Sequence, residues 1–555
     1  MERGNGRRDS SPPKALKILW VSDAPWHSTG YGITTEHITQ RMARDGHKMF
    51  VFAPGAFQQG SVRLGPNLTV LSSEFGDDRW GNQSLHYHID GVKPDLIITW
   101  LDCQGLGEYG WTAIPTYMWA PIDTWPVQAD ERAILGRAQR LLVPSTWGQG
   151  VLSAQDIHST YLPCGIDLEA YDVSAADRGR WRSQLGPELD DDTFLIGMVG
   201  LNSGAPDRKG YGFAFDIIKA FAASHEKVRA YIHTNYHGDG VAINLQDLRH
   251  EMEMEDLIYF VRPFGPLGAP VEYMRGAYNA FDVFLHCGNG EGFGLPVAEA
   301  QACGTPVVAN ACSSVTELLG PGSVPCQPLG DMMLQPCTRV ALPSVQNMLE
   351  GLETAYGCWR DGRVDRQEVR AGILHLDRDA IYERDWRAVL QDVPQPLDYS
   401  AAGPKKLMLA AGMGEKQGYI HHDREKLWPH IEVAHDLEEF PWPWQDDSWD
   451  YIEFSDCLEH LRSNATAVLD ELWRILKPGG YVYIHTAEAG SWQLNMDPTH
   501  AQGFYIDSFD YYDPATRRGQ AYSYSLRKWR VVRKTRDDGG LAFVLQPRKE
   551  ALVPA

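Results

Sequence analysis

At 555 residues the chain is longer than the ~250–300 residues at which one hydrophobic core stops growing, so about three domains are expected. Hydrophobic residues make up 43% and charged residues 22%, which excludes a wholly disordered or collagen-like chain, and no apolar run approaches the ~20 residues that cross a bilayer. With 51 basic and 73 acidic side chains the net charge is −22, which on average repels nucleic-acid phosphates and anionic membranes, and nine scattered cysteines without a CxxC pair argue against a disulfide framework or zinc site and for a reducing cytoplasm.

Residues 1–14, MERGNGRRDSSPPK, have no apolar h-region and are expected to be a disordered tail. The first domain, 15–185, opens with the apolar strand Ile18 to Val21, a loop holding Gly30 and Gly32, an amphipathic helix (TTEHITQRMARDGH) and a second strand (MFVFAPG). PDLIITWLD, TYMWAPID and RLLVPS read as further buried strands, so the domain is α/β with a parallel sheet. The second domain, 186–390, repeats the pattern: FLIGMVG, a helix from Gly210 to Ala223, VRAYIHT, FDVFLHC, a helix starting at Pro296, and TPVVAN. A helix is predicted in AIYERDWRAVLQDV, before a Pro/Gly-bearing linker at 391–404. The third domain, 405–555, starts with KLMLAAGMG and continues through SWDYIEFSD, a helix in NATAVLDELWRIL, YVYIHT and a terminal hairpin turning at Asp538 and Gly539.

The stretch EGFGLPVAEAQACGTPVV carries the most chemistry. Gly292 and Gly294 allow close backbone approach to a ligand, and Pro296 suits a first helical position. Gly292, Phe293, Gly294 and Leu295 then offer N–H groups at a helix N-terminus, which attracts a pyrophosphate. Glu291 and Glu299 are spaced to reach opposite ends of one elongated, hydroxyl-bearing ligand; plain helix capping is the alternative reading of the same residues. Arg208 and Lys209 lie at a strand-to-helix turn, where two cations would hold a diphosphate leaving group or, alternatively, sit solvated.

This stretch closely resembles the E-x7-E signature of the retaining group 1 glycosyltransferases, a family with the GT-B fold of two Rossmann-like domains. The resemblance implies that Glu291 contacts the donor sugar, Glu299 the nucleotide ribose, and the backbone of Gly292–Leu295 the sugar and phosphates. YNAFDVFLHCGNGEGFG upstream and ANACSSVTELLG downstream, which includes Glu317, extend the likeness. Lys209 before Gly210 matches the family's phosphate-binding turn; many members place the arginine earlier, where this chain has Leu201 and Asn202. STGYG resembles the glycine loop on the acceptor side, which implies that Gly30 and Gly32 approach the donor phosphate, with an ordinary βα turn as the alternative; Asp123 in WAPIDTWP falls where family members often carry a polar cleft residue that orients acceptor or sugar, with a helix or loop cap as the alternative. No metal is implied: Asp377–Asp379 and Asp190–Asp192 read as loop or cap residues. The family's front-face mechanism uses the leaving phosphate to help deprotonate the acceptor, and the helix near Trp386 is expected to cross back to the first domain.

Residues 405–486 resemble the class I S-adenosylmethionine-dependent methyltransferases, a third and smaller Rossmann-like fold, and DPTHAQGFYIDSFDYYDP continues the likeness. The resemblance implies that Gly412 and Gly414 approach the methionine moiety, that Asp423 binds ribose, and that Asp436 and Leu437 flank adenine. Cys457, Glu459 and His460 read as core or cap residues near the cofactor edge, and Lys477–Gly480 as a structural turn. Ala410 stands where the family carries a polar residue, Met413 replaces its cysteine, and the short 414–423 interval leaves no room for the usual first helix.

The expected function is transfer of a sugar, with retention, from a nucleotide-diphosphate-sugar donor to a hydroxyl of a glycan, lipid-linked, protein or other acceptor, with S-adenosylmethionine serving a domain that methylates the product. Two alternatives stand beside it: a glycosyltransferase with a non-catalytic third domain, and a non-catalytic nucleotide-sugar-binding protein. Glycosylation of a nucleic-acid base is a related reading that the acidic charge disfavours.

Overall fold

The computed structural model describes residues 15–391, 393 and 405–549, apart from 58–59, 74–79, 107–113, 137, 186–188, 205–206, 239, 261–267, 335–336, 523 and 538–539. It divides into two compact units, one running up to Asp102 and through Tyr117–Gln128 and Gln139–Val393, the other comprising Cys103–Thr116, Ala129–Ala138 and the chain from Pro394 onward. Among the described residues, no helix is long and apolar enough to cross a membrane.

The first unit holds two α/β lobes. In the first lobe, β1 (Lys17–Val21), β2 (Lys48–Phe52), β3 (Ser61–Gly65), β4 (Leu68–Leu71), β5 (Leu96–Trp100), β6 (Thr116–Trp119), β7 (Arg140–Val143) and β8 (Thr160–Tyr161) form one sheet in the order β3-β4-β2-β1-β5-β6-β7-β8. Ile18, Leu19 and Trp20 are all buried because helices cover both faces of a parallel sheet, which is why such strands read as continuous apolar runs. The helix Gly30–Arg44 begins at Gly30, capped by the Thr29 hydroxyl, which accepts from the Gly32 N–H at 3.0 Å. Gly30 and Gly32 therefore lie in a helical first turn and not in the loop expected from sequence: the Thr29 cap starts the helix earlier than its apolar periodicity suggests.

In the second lobe, β9 (Phe194–Val199), β10 (Val228–His233), β11 (Ile258–Phe260), β12 (Val283–His286), β13 (Val307–Asn310) and β14 (Val324–Cys326) form an all-parallel sheet in the order β11-β10-β9-β12-β13-β14. A hairpin of β15 (Gly330–Leu334) and β16 (Thr338–Leu342), not anticipated from sequence, pairs antiparallel beside it. Its Arg339 N–H donates to the Trp125 carbonyl at 2.6 Å and so joins the second lobe to the WAPIDTWP loop of the first.

The chain then returns. Arg378–Ile381, a π turn Tyr382–Trp386 and Arg387–Gln391 follow one another as helix, as the sequence predicts for this segment. Trp386 lies against Trp20 at 5.6 Å and Trp119 at 5.1 Å between ring centroids, Tyr382 donates to Asp45 at 3.0 Å, and Arg387 pairs with Asp45 at 2.9 Å. The expected crossing back to the first lobe is thus present.

In the second unit, β17 (Lys406–Leu409), β18 (Tyr419–Asp423), β19 (Ile431–Ala434), β20 (Trp449–Ser455), β21 (Leu476–Thr486), β22 (Trp529–Asp537) and β23 (Gly540–Pro547) form a sheet in the order β19-β18-β17-β20-β21-β23-β22. Its last three strands pair antiparallel, and the rest are parallel. The predicted terminal hairpin is there; its turn residues Asp538 and Gly539 lie outside the described residues. Lys477–Gly480, read as a turn, instead belongs to β21: the helix Ala465–Ile475 ends directly into the strand, and an irregularity in register opposite Trp449/Tyr451 absorbs the extra residues. Residues 410–418 contain no helix, as the short interval led us to expect.

Candidate functional site

The loop after β12 carries Glu291 and leads into the helix Leu295–Ala302. Gly294, at φ 101°, is the N-cap; it makes no side-chain cap and Pro296 follows, so the helix start is left without a capping side chain. Two serines stake the loop: the Glu291 N–H donates to Ser313 Oγ at 2.8 Å, while Ser314 Oγ donates to the carbonyls of Glu291 (2.7 Å) and Phe293 (2.9 Å). A Cβ at Gly292 would stand 2.3 Å from the Pro121 Cβ, so the missing side chain also lets the first lobe pack closely against this loop. A Cβ at Gly30 would meet Leu295 Cδ1 at 3.1 Å, and one at Gly32 the carbonyls of His27 and Ala24, so of these two glycines Gly30 faces the helix Leu295–Ala302 of the second lobe and Gly32 its own lobe.

Lys209, Arg208 and His286 converge on Glu291, and Asp123 joins them through Arg208. Lys209 Nζ bonds Glu291 Oε1; Arg208 lies 3.7 Å from Glu291 and 3.6 Å from Asp123; His286 Nε2 is 3.4 Å from Glu291. Burial works to raise the Glu291 carboxyl, but Lys209, the His286 bond and Arg208 together hold it well below the usual carboxylate range. Tyr31, between the two glycines of the first lobe, donates to Asp102 at 2.5 Å and packs edge-on to Trp100; burial and Asp102 push its phenol well up. The sequence reading missed His286, Ser313, Ser314, Tyr31 and Asp102; the serines lay inside the ANACSSVTELLG stretch, and Tyr31 inside STGYG.

Glu299 is buried under two tyrosines. Tyr278 donates to it at 2.7 Å and Tyr171 also bonds it; burial nevertheless raises its carboxyl to about 7. The folded chain therefore holds this proton at pH values where the unfolded chain has released it. The stability it contributes is present below the ordinary carboxylate pKa and is lost as pH rises toward 7. Between pH 5 and 8 the wild type is expected to lose about 2.5 kcal/mol more stability than Glu299→Gln. Urea unfolding at several pH values checks this, and parallel pH profiles for the two proteins refute it.

Glu317 serves the opposite lobe. Its carboxylate accepts from the N–H groups of Thr146 (2.9 Å) and Trp147, at the start of the helix Thr146–Ser153. This is an acid at a helix N-terminus, supplied across the cleft.

In the second unit the sheet reverses order between β17 and β20, and ligands of open α/β sheets lie at the carboxyl edge of such a switch point. Gly412 and Gly414 follow β17 there. The Gly412 N–H donates to Asp423 Oδ2 at 2.7 Å, so the proposed ribose ligand is tied into the glycine loop. Asp436 pairs with Arg424 at 3.2 Å, and Leu437 is buried in the hydrophobic core. Glu459, 2% exposed, accepts from Thr486 Oγ1 and the Ala487 N–H, a structural role that fits the core or cap reading.

Residues 194–331 match the family profile described as "Glycosyl transferases group 1", and residues 385–532 that of a "Methyltransferase domain". A D-inositol 3-phosphate glycosyltransferase of Xylanimonas cellulosilytica is 35% identical over 158 residues, 27% of this chain and 34% of that one. The chain spans between about a third and somewhat under two thirds of the length of the curated relatives it matches, 34% in this case, 30% in another and 62% in a third. Among solved structures, sucrose-phosphate synthase of Thermosynechococcus elongatus aligns at TM-score 0.55 with 16% identity, over 68% of this chain and 98% of that one. The Anabaena HepE structure in complex with UDP-glucose aligns at TM-score 0.50 with 17% identity, over 67% and 99%. The two lobes of the first unit have the GT-B fold.

Proposed function

We propose, from a chain whose residues 194–331 match the group 1 glycosyltransferase profile and whose residues 385–532 match a methyltransferase-domain profile, that the first unit transfers a sugar from a nucleotide-diphosphate-sugar donor to an acceptor hydroxyl with retention. The carrying observation is the convergence of Lys209, Arg208 and His286 on Glu291, beside a helix start that no side chain caps.

In this reading the donor diphosphate takes the two cations and the helix N-terminus, and Glu291, released from Lys209, contacts the sugar. The bond from the anomeric carbon to the leaving phosphate oxygen breaks as the acceptor oxygen bonds the same face, and the acceptor proton passes to that phosphate oxygen. Asp123 orients the acceptor or the sugar. The backbone of Gly292–Leu295 meets the sugar and phosphates, Gly30 closes on them from the acceptor side, and Glu299 exchanges a tyrosine partner for the ribose. This assigns the leaving-group charge to Arg208 and Lys209 and not to a metal ion.

Screening UDP-, GDP-, ADP- and CMP-sugars for binding and slow hydrolysis tests the reading, with Glu291→Ala as control and EDTA added in parallel. One donor is expected to bind and turn over, unaffected by EDTA and lost in the variant. No binding to any donor, or equal turnover in the variant, would overturn it.

We propose that the second unit binds S-adenosylmethionine at Gly412, Gly414, Asp423 and Asp436 and methylates the glycan or a related product. A non-catalytic assembly domain is the second reading, favoured by Ala410, by the absent first helix and by the burial of Leu437 in the core. Calorimetry with millimolar S-adenosylmethionine on the folded chain separates the two.

A further inference from the structure

We propose that His460, Asp497 and His500 form a binding site for a divalent first-row transition ion at the ligand-bearing edge of the second unit. One ligand atom from each lies within 4.8 Å of the other two, and it is the one such group of three among the described residues. The sequence reading named no metal ligand, because the histidines are 40 residues apart and no CxxC or HxxxH spacing marks them.

Two features distinguish this cluster from a chance meeting of polar side chains. The first is that both imidazoles are held in one tautomer. His500 Nδ1 lies 3.1 Å from the Leu494 carbonyl, which only accepts, so Nδ1 carries the proton and Nε2 the lone pair. Thr499 Oγ1 gives its one proton to Asp497 Oδ1 at 2.6 Å and must therefore accept from His460 Nδ1 at 2.9 Å. His460 thus also keeps its lone pair on Nε2. Outer hydrogen bonds of this kind orient metal-binding histidines and raise their basicity.

The second feature is the scaffold. His460 ends the short helix Leu458–His460 that follows β20, while Asp497 and His500 lie in the loop after the helix Trp492–Met496. The two segments are stitched together by backbone bonds from Ala501 (2.7 Å) and Gln502 (3.2 Å) to the Glu459 carbonyl, and by the Gln502 amide to the carbonyls of Leu458 and Leu461. The His460 and His500 rings stand 4.5 Å apart. Three atoms 4.8 Å apart lie about 2.8 Å from their common centre, so each has to move by less than about 1 Å to reach the ~2.1 Å of a metal–ligand bond.

Two nitrogens and one carboxylate oxygen suit zinc and its first-row neighbours, and three protein ligands leave coordination positions open. The site follows β20, one of the two strands that flank the switch point. An oxygen ligand, such as the hydroxyl of a methyl acceptor, is the class the open positions take. That last step rests on the methyltransferase reading, whereas ion binding does not.

The test is titration of the chelator-stripped full chain with zinc chloride by calorimetry, with cobalt(II) absorption as a second readout. One equivalent is expected to bind, with affinity falling at least 100-fold in His500→Ala and Asp497→Ala. Thr499→Val keeps all three ligands but frees the His460 ring; it is expected to weaken binding by about 10–100-fold. It also serves as the variant if His500→Ala does not fold. The exposed His250→Ala, in the first unit, is expected to change nothing. No stoichiometric uptake, or uptake unaltered in Asp497→Ala and Thr499→Val, overturns the site. Calorimetry with S-adenosylmethionine on the same samples reads the methyltransferase assignment separately: zinc uptake without cofactor binding rejects that assignment and leaves the ion site standing.

Discussion

Lys209→Ala is expected to lower kcat on the donor identified by screening by about 10²–10³-fold, the usual consequence of removing one charge-stabilising donor from a buried site. The loss follows from what Lys209 touches. It bonds Glu291, which is only 8% exposed, and the two remaining neighbours are farther off, the His286 ring at 3.4 Å and the Arg208 guanidinium at 3.7 Å. Without Lys209 the burial that works to raise the Glu291 carboxyl is opposed by weaker partners, so its pKa climbs from well below the usual range. The variant's pH–rate profile should therefore gain an acidic limb that the wild type lacks. Arg208→Ala should lose less, since its side chain is 40% exposed and its attraction to Glu291 acts over a longer distance. A Lys209→Ala enzyme within threefold of wild type, with an unchanged pH profile, would refute the assigned role.

Trp386→Ala is expected to destabilise the first unit by about 3–5 kcal/mol, with Trp386→Phe losing much less. Trp386 is 1% exposed and wedged between Trp20 of β1 and Trp119 of β6, both fully buried. The π turn Tyr382–Trp386 brings two residues four apart, Tyr382 and Trp386, onto one buried face. The return helix is also held by Arg41 with Asp379 and by Arg387 with Asp45, but exposed ion pairs contribute little next to a buried indole. Because this helix continues from the second lobe onto the first, donor binding should weaken along with stability. Urea midpoints and donor titration measure both, and a change under 1 kcal/mol rejects the wedge.

Much of the fold was legible because strands buried on both faces write themselves as apolar runs. Ile18–Val21, FLIGMVG, FDVFLHC and YVYIHT were all read in the right places. What was misread depends on partners distant in sequence. The hairpin Gly330–Leu342 is exposed along much of one strand and carries no clear alternation. The bulged start of β21 looks like a turn until Trp449 and Tyr451 are set beside it. Within the site, Glu291, Lys209 and Arg208 could be named from local context: a glycine-bearing helix start and a strand-to-helix turn. Their meeting, across 82 residues for Lys209 and Glu291, could not be read from spacing. Nor could the Tyr171 and Tyr278 bonds to Glu299, or the service of Glu317 to a helix 170 residues away.

The sequence by itself determined the alternation of strand and helix, the two kinds of domain and the residue types available for phosphate and sugar, because these are set by short-range periodicity and by chemistry carried on single side chains. Only the tertiary structure decided the charge state of that chemistry. Burial and neighbours drive Glu291 and Glu299, eight residues apart on one loop and helix, in opposite directions: Lys209, Arg208 and a hydrogen bond from the His286 ring surround the first, and two phenols bond the second. The same holds for His460, Asp497 and His500, whose tautomers and spacing exist only once the segments bearing them are packed. Electrostatic energy depends on distance and on exclusion of water, and in this chain both are set by residues tens to hundreds of positions away.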